Sequence, residues 1–487
     1  MFKLQPHTLD RLKNIFSRPE IQLGLLVVLA LVVRLYKITN PILDWHAWRQ
    51  ADTASVTREY VKQGIDLLRP QYHDLSNIPS GQANPQGWRM VELPIINFLV
   101  ASLLRLVPSL GLAVTSRFIS VLFSLGTLLS LYWLAKQISN QKVALLTGLF
   151  FSLVPFSIFY SRVVLPEPGV LFFSTLSLAS FASYLSSYQP GSWLLSVVSL
   201  TIAFLLKPFV AFLSPAYLAL ILTQNDLKTN LKQKLLWLYP LLPVIPFLAW
   251  RQWIKNFSAG IPASDWLFNS DRIRLRPAWF RWLFYERLTK LILGYLGLIF
   301  LPFNLRRIDR SFWLTLGWGV GLLLYLIVIA TGNVRHDYYQ TLLIPGLCFA
   351  LGRGAYYLHD WLDQKTNLAS LIVGLLIAFQ LLISWQQVKG YYQVNHGEYQ
   401  LAGQEADKIL PADALVIAPA MGDTQFLFQI NRRGWPIGFE IDKKINQGAT
   451  HYITTSQDSE AKQLKQKYRI VKETQEYLIL DLTKERN

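Results

Sequence analysis

Ser311–Thr331 reads SFWLTLGWGVGLLLYLIVIAT, a run without a single charged side chain. As a helix rising about 1.5 Å per residue it is about 30 Å long, the thickness of a bilayer's hydrocarbon core. Ile21–Leu35 with its flanks is a second such run. Further apolar runs fall at about 113–136, 143–162, 168–187, 192–206, 209–223, 235–253, 288–304, 338–358 and 367–386. With the first two, at about 21–38 and 311–331, they predict a polytopic α-helical membrane protein of about eleven transmembrane helices.

Composition agrees. Hydrophobic residues make up 52% of the 487-residue chain and charged residues 16%, well below the share expected of a soluble protein. The net charge of +17 raises the possibility of nucleic-acid binding, but much of the Lys and Arg lies in short loops between apolar runs, where it reports topology. Nucleic acid is excluded as a partner on this ground. The single cysteine, Cys348, lies within an apolar run, which rules out an intramolecular disulfide framework and a zinc cluster.

The N-terminal segment carries Lys3, Arg11, Lys13 and Arg18 with no small-residue cleavage site after the first run, so it reads as an uncleaved, cytoplasmic N-terminus. With that end inside, Lys136 and Lys142, then Lys228, Lys232 and Lys234, then Arg306, Arg307 and Arg310, then Arg353 and Lys365 all fall in cytoplasmic loops. Pro94–Pro108 is also apolar, and a crossing there would invert every later loop. It is expected to re-enter from the outer face. Residues 1–390 form the membrane domain, with long external loops at 39–112 and 254–287. The second of these, rich in Trp266, Trp279, Trp282 and arginines, is expected to lie on the membrane interface. Residues 391–487 are expected to form a small, soluble, extracytoplasmic α/β domain with strands near Ala414–Pro419, His451–Thr455, Tyr468–Val471 and Tyr477–Leu482.

Ionisable residues collect on the predicted outer face: Asp44, His46, Arg49 and Asp52, then Glu92, Arg162, Glu167, Lys207 and the run Arg335-His336-Asp337-Tyr338-Tyr339. Charge at membrane depth is costly and marks a functional site by default. Asp44 reads as a general base or as the N-cap of a helix at about 45–63. Asp52 and Glu92 are the alternative carboxylates. Arg49, Arg162, Lys207 and Arg335 read as phosphate ligands or as side chains reaching to lipid headgroups. Arg162 and Glu167 are also placed to pair with each other. His46 and His336 lack a second histidine at ligand spacing, and hydrogen bonding is their expected role. Tyr338 and Tyr339 fit an aromatic belt. A divalent metal is not supported by the sequence, and no other cofactor is indicated.

These residues carry a resemblance. The motif Leu43-Asp44-Trp45-His46-Ala47-Trp48-Arg49-Gln50-Ala51-Asp52-Thr53, the step Glu92-Leu93-Pro94, Arg117 opening a span, Tyr160-Ser161-Arg162 with Glu167, Lys207 and Arg335–Tyr339 follow in that order over about residues 20–390. The chain resembles the C-type, polyprenyl-phosphate-sugar-dependent membrane glycosyltransferases, in the branch of protein O-mannosyltransferases and the lipid A aminoarabinose transferase. The resemblance implies sugar transfer from a polyprenyl-phosphate donor to a lipid, glycan or protein acceptor at the outer face of the cell membrane. It maps the base onto Asp44 and a donor-phosphate contact onto Arg162. Two positions depart from the family pattern: Trp45 stands where many relatives have Glu, and Glu167 where they commonly have Asp. One base and in-line attack would invert the anomeric carbon. The competing class is a flippase for lipid-linked glycans that binds the same headgroup without reacting it.

Overall fold

The computed structural model describes residues 18–486; Lys3, Arg11 and Lys13 lie outside them. Five helical segments are long and apolar enough to cross a bilayer: Leu112–Ile138, Glu167–Ser187, Arg310–Val328, Asp337–Asp363 and Ala369–Ile409. Pro277–Ile292 and Leu296–Arg306 make a sixth if taken as one span bent by 98°. Ile95–Leu106, Gln141–Leu153, Pro190–Leu206 and Pro208–Thr223 are shorter apolar helices.

Several of the eleven expected runs are thus broken rather than continuous, each for a local reason. The run at 143–162 stops at Leu153 and restarts as Pro155–Tyr160, because proline has no amide hydrogen to continue the ladder. The break expected at Lys207-Pro208 is present, with a 3-10 turn at Pro208–Leu213. The run at 235–253 splits into Lys234–Leu238 and Val244–Ile254 around Pro240 and Pro243. At 288–304 a π-helical stretch, Arg281–Ile292, ends at Gly294. Gly294 has φ +51, and a β-carbon there would stand 2.3 Å from the Gln380 carbonyl oxygen, so the bend requires glycine.

Ile95–Leu106, the expected re-entrant segment, is a helix of about 18 Å by its rise, too short to cross about 30 Å of hydrocarbon. It packs on Ala47–Gln63, where the Asn97 amide donates to the Thr53 carbonyl at 2.6 Å and to Thr57 Oγ1 at 3.0 Å. The segment 254–287 is less superficial than expected. Trp279 is buried and Trp266 lines a cavity, while Trp282 remains exposed.

The C-terminal segment forms a five-stranded sheet of order β2-β1-β3-β5-β4, with β1 Leu415–Ile417, β2 Gly434–Trp435, β3 Ala449–Thr454, β4 Tyr468–Glu473 and β5 Leu478–Glu485. β1 runs parallel to β2 and β3; β5 is antiparallel to β3 and β4. All four expected strands are present. The two-residue β2 was not expected, being too short to show an alternating pattern.

The sheet is fastened to the segment 39–112. The Leu75 amide donates to the Gly434 carbonyl at 2.8 Å, and the Gly434 amide to the His73 carbonyl at 2.9 Å, so the loop adds a short edge to β2. Arg58 donates to the Phe428 carbonyl at 2.5 Å and stacks its guanidinium over that ring. Ile42, Ala51, Ala54, Val164 and Phe428 form one small core spanning loop, membrane helices and sheet domain.

Candidate functional site

The helix Ala47–Gln63 begins at His46, whose φ of +56 turns the chain sharply, and no side chain caps its N-terminus. Asp44 is therefore not the cap. Its carboxylate, almost fully buried, accepts from Gln50 Nε2 at 2.8 Å through Oδ1, and from Arg162 at 2.7 Å and Arg117 at 3.1 Å through Oδ2. Both arginines are completely enclosed. Arg162, expected on the donor phosphate, instead lies off the large cavities with its charge committed to Asp44 and Tyr392 stacked on it.

A second carboxylate, Asp337, is a buried hub. It accepts from Trp45 Nε1 at 3.1 Å, from Tyr160 at 2.5 Å and from Tyr391, meets His46 Nε2 at 2.5 Å, and lies 3.6 Å from Arg287. His336 stacks on Tyr338 and approaches His46 edge-on. Burial, with His46 nearby, pushes His336 down to about 4, so the ring is neutral. Arg335 points away from this cluster. It pairs with exposed Asp271 at 2.5 Å, which corrects its expected place among the phosphate ligands.

Two cavities lie beside these networks. The larger, about 820 Å³, has an apolar wall including Phe204, Leu205 and Phe247 and a polar wall including Arg49, Asp52, Arg89, Glu92, Lys207 and Arg251. Tyr338 and Tyr339 line it too. The smaller, about 580 Å³, is open and bounded by Asp44, His46, Asn395 and His396. Trp48 and Asp423 border both.

The cations of the larger cavity are mostly spoken for. Arg49 donates to Glu92 at 2.8 Å and Arg89 to Asp52 at 2.8 Å; Lys207 pairs with Glu167 and sits over the Tyr338 and Tyr339 rings. Burial opposes ionisation of Glu92, but Arg49 and Arg89 outweigh it and hold its carboxyl below the usual range. Arg251, half-buried, has no ion-pair or hydrogen-bond partner among the described residues. Asp52 is inside the helix rather than at its start, and it also accepts from Thr424 Oγ1 at 2.7 Å.

Sequence reasoning missed Arg89, Arg251, Arg287, Asp423 and Thr424. The first three gave only the general signal of arginine near an interface; the last two sit in a turn of a domain read as accessory. Among the described residues no group of three or more His, Cys, Asp or Glu is arranged to hold a metal ion.

The fold is that of the C-type membrane glycosyltransferases. It is similar to ArnT from Cupriavidus metallidurans, whose crystal structure was determined with undecaprenyl phosphate bound: 12% identity, TM-score 0.67, covering 94% of this chain and 97% of that one. It is also similar to the Archaeoglobus fulgidus oligosaccharyltransferase (10% identity, TM-score 0.56, covering 88% and 69%) and to the mycobacterial arabinofuranosyltransferase AftD (14%, 0.56, covering 90% and 35%). Residues 92–253 match the family model described as dolichyl-phosphate-mannose-protein mannosyltransferase. Among curated protein sequences none matches the chain. The fold implied by the resemblance is thus borne out, and the apolar helices are those of a multi-pass membrane protein.

Proposed function

We propose that this protein transfers a sugar from a polyprenyl-phosphate donor to a lipid, glycan or protein acceptor at the outer face of the cell membrane. One observation carries the reading: the larger cavity joins an apolar wall to a polar end holding the unpartnered Arg251. An isoprenoid phosphate has the same two-part character. Its tail buries against Phe204, Leu205 and Phe247, and its phosphate meets Arg251, with Lys207 and Arg49 adding positive potential nearby. Arginine suits this role because its planar fork matches phosphate oxygens bidentately.

Such a donor needs little acid assistance, because the phosphate leaves as a stable anion. Catalysis then depends on stabilising charge on the departing phosphate and on accepting a proton from the incoming group. Attack opposite the leaving phosphate inverts the anomeric carbon. The basic loops at 136–142, 228–234 and 306–310 support an orientation with the site, and residues 391–487, outside the cytoplasm.

The test uses full-length protein in nanodiscs. Binding of undecaprenyl phosphate is measured directly. Transfer is followed as label moving from undecaprenyl-phosphate mannose or arabinose into lipid and protein fractions of native membranes. Binding weakened about tenfold or more by Arg251→Ala supports the reading; protein that does not bind undecaprenyl phosphate overturns it.

A further inference from the structure

We propose that the C-terminal domain supplies a catalytic carboxylate, Asp423, which takes the acceptor's proton as the acceptor attacks the sugar. The inference rests on the transferase reading above and adds to it a residue from outside the membrane helices.

Position comes first. A donor in the larger cavity and an acceptor entering the open smaller cavity come nearest at the residues that line both. Trp48 and Asp423 border both cavities, and only Asp423 of the pair carries a group that can accept a proton.

Availability comes second. The Asp44 oxygens already receive Gln50, Arg117 and Arg162, and the carboxylate is almost fully buried. Asp44 is thus fixed by three donors, with neither oxygen left without one. Asp423 has no cation within ion-pair distance among the described residues. It accepts only from Gln425, through the backbone amide at 2.8 Å and Nε2 at 3.0 Å.

The turn that carries Asp423 is rigidly placed. Thr424 Oγ1 donates to Asp52 at 2.7 Å and to the Trp48 carbonyl at 3.2 Å, while the Ala420 and Gly422 amides both donate to the Pro436 carbonyl. Met421 and Gly422 have φ +54 and +85, a tight reversal that presents Asp423 to the cavities.

The titratable groups facing Asp423 are Asp52 from the first loop's helix and His396 and Tyr399 from the C-terminal segment, with Asp44 and His46 across the smaller cavity. Burial is the main influence and Asp52 adds to it; together they bring Asp423 up to about 6, in the range where a base is both ionised and effective.

The step balances. The acceptor oxygen or nitrogen bonds to the anomeric carbon as the bond from that carbon to the phosphate oxygen breaks. Polyprenyl phosphate leaves with the electron pair. The acceptor's proton passes to the Asp423 carboxylate and from there to solvent through the open cavity.

The test compares Asp423→Asn, Asp423→Glu and Asp44→Asn in the full chain, using the undecaprenyl phosphate binding and label-transfer assays above. Asp423→Asn is expected to lower turnover about 100-fold or more, with undecaprenyl phosphate affinity within about threefold of wild type. Asp423→Glu is expected to recover part of the turnover. Wild-type turnover should fall as pH drops through about 6, and the residual rate of Asp423→Asn should lack that limb. Retention of more than about a third of turnover by Asp423→Asn, or an unchanged pH limb, overturns the role and returns the base to Asp44. Loss of donor binding together with turnover in Asp423→Asn also overturns it, as a structural effect. Failure of the transferase reading looks different: wild-type protein that does not bind undecaprenyl phosphate.

Discussion

Arg162 lies 2.7 Å from Asp44, and the two residues neutralise each other in a space closed to solvent. With Arg117 on the same oxygen, the pair ties the segment before Ala47–Gln63 to Leu112–Ile138 and to the turn after Pro155–Tyr160. Removing the charge of Asp44 leaves two buried guanidinium groups uncompensated. Breaking a buried pair from one side costs about 3–5 kcal/mol. Asp44→Asn is therefore expected to lower the melting temperature in detergent by several degrees as well as to impair turnover. An unchanged melting temperature would show that the arginines find other partners.

Among the described residues Arg251 is the cation of the larger cavity without an ion-pair partner. A charge-assisted hydrogen bond contributes about 1.5–3 kcal/mol, equivalent to a 10- to 150-fold change in affinity. Arg251→Ala is expected to weaken undecaprenyl phosphate binding by that range without lowering thermal stability, since the side chain supports no other group. Arg251→Lys should recover a fraction only, because a point charge cannot bind two phosphate oxygens at once. Equal affinities for all three proteins would remove Arg251 from the phosphate site.

His73 is buried at the seam between the segment 39–112 and the C-terminal sheet, stacked on Phe428 and 3.3 Å from Glu59. Burial drives its pKa down to about 4, against 6.5 for an ordinary histidine. The folded state therefore holds the ring neutral while the unfolded chain takes up a proton. Stability from this residue is complete above about pH 6.5 and is lost as pH falls from there toward 4, by at most about 3 kcal/mol. Limited proteolysis should release the C-terminal domain faster at pH 5 than at pH 7.5. His73→Gln should flatten that difference; an undiminished difference would place the pH sensitivity elsewhere.

How much of this could be read from the chain follows from the range over which each signal acts. Apolar runs and the Lys207-Pro208 break are local, so Glu167–Ser187 and Arg310–Val328 stand where expected. The bend at Gly294 depends on the Gln380 carbonyl, distant in sequence, and leaves no local trace. The cluster of charges was legible, but its pairing was not. Asp44 and Arg162 are 118 positions apart, and nothing in either segment distinguishes an arginine held by a carboxylate from one held ready for phosphate. Arg335 shows the same ambiguity with the opposite result, since Asp271 draws it to the surface. Asp423 was the least legible. It lies in a short turn, and its position matters only because Thr424 reaches back to Asp52 across 372 residues.

That contact gives the last prediction. Asp52 holds two elements at once: Arg89 at 2.8 Å, itself stacked over Tyr72, and Thr424 at 2.7 Å. Replacing Asp52 with Ala leaves Arg89 without its counter-ion in a site where its Nε already lacks a partner, and it frees the turn that presents Asp423. Hydrogen exchange in residues 418–430 should therefore accelerate in Asp52→Ala, and turnover should fall about tenfold or more because the carboxylate is no longer held in place. Donor affinity should change little, since Arg251 and Lys207 stand on other segments. Thr424→Val separates the two effects: it removes the hydroxyl contact and keeps the Arg89 pair, so faster exchange with a smaller loss of turnover is the expected result. Exchange rates unchanged in both variants would mean that the turn is held by the Pro436 carbonyl alone, through the Ala420 and Gly422 amides.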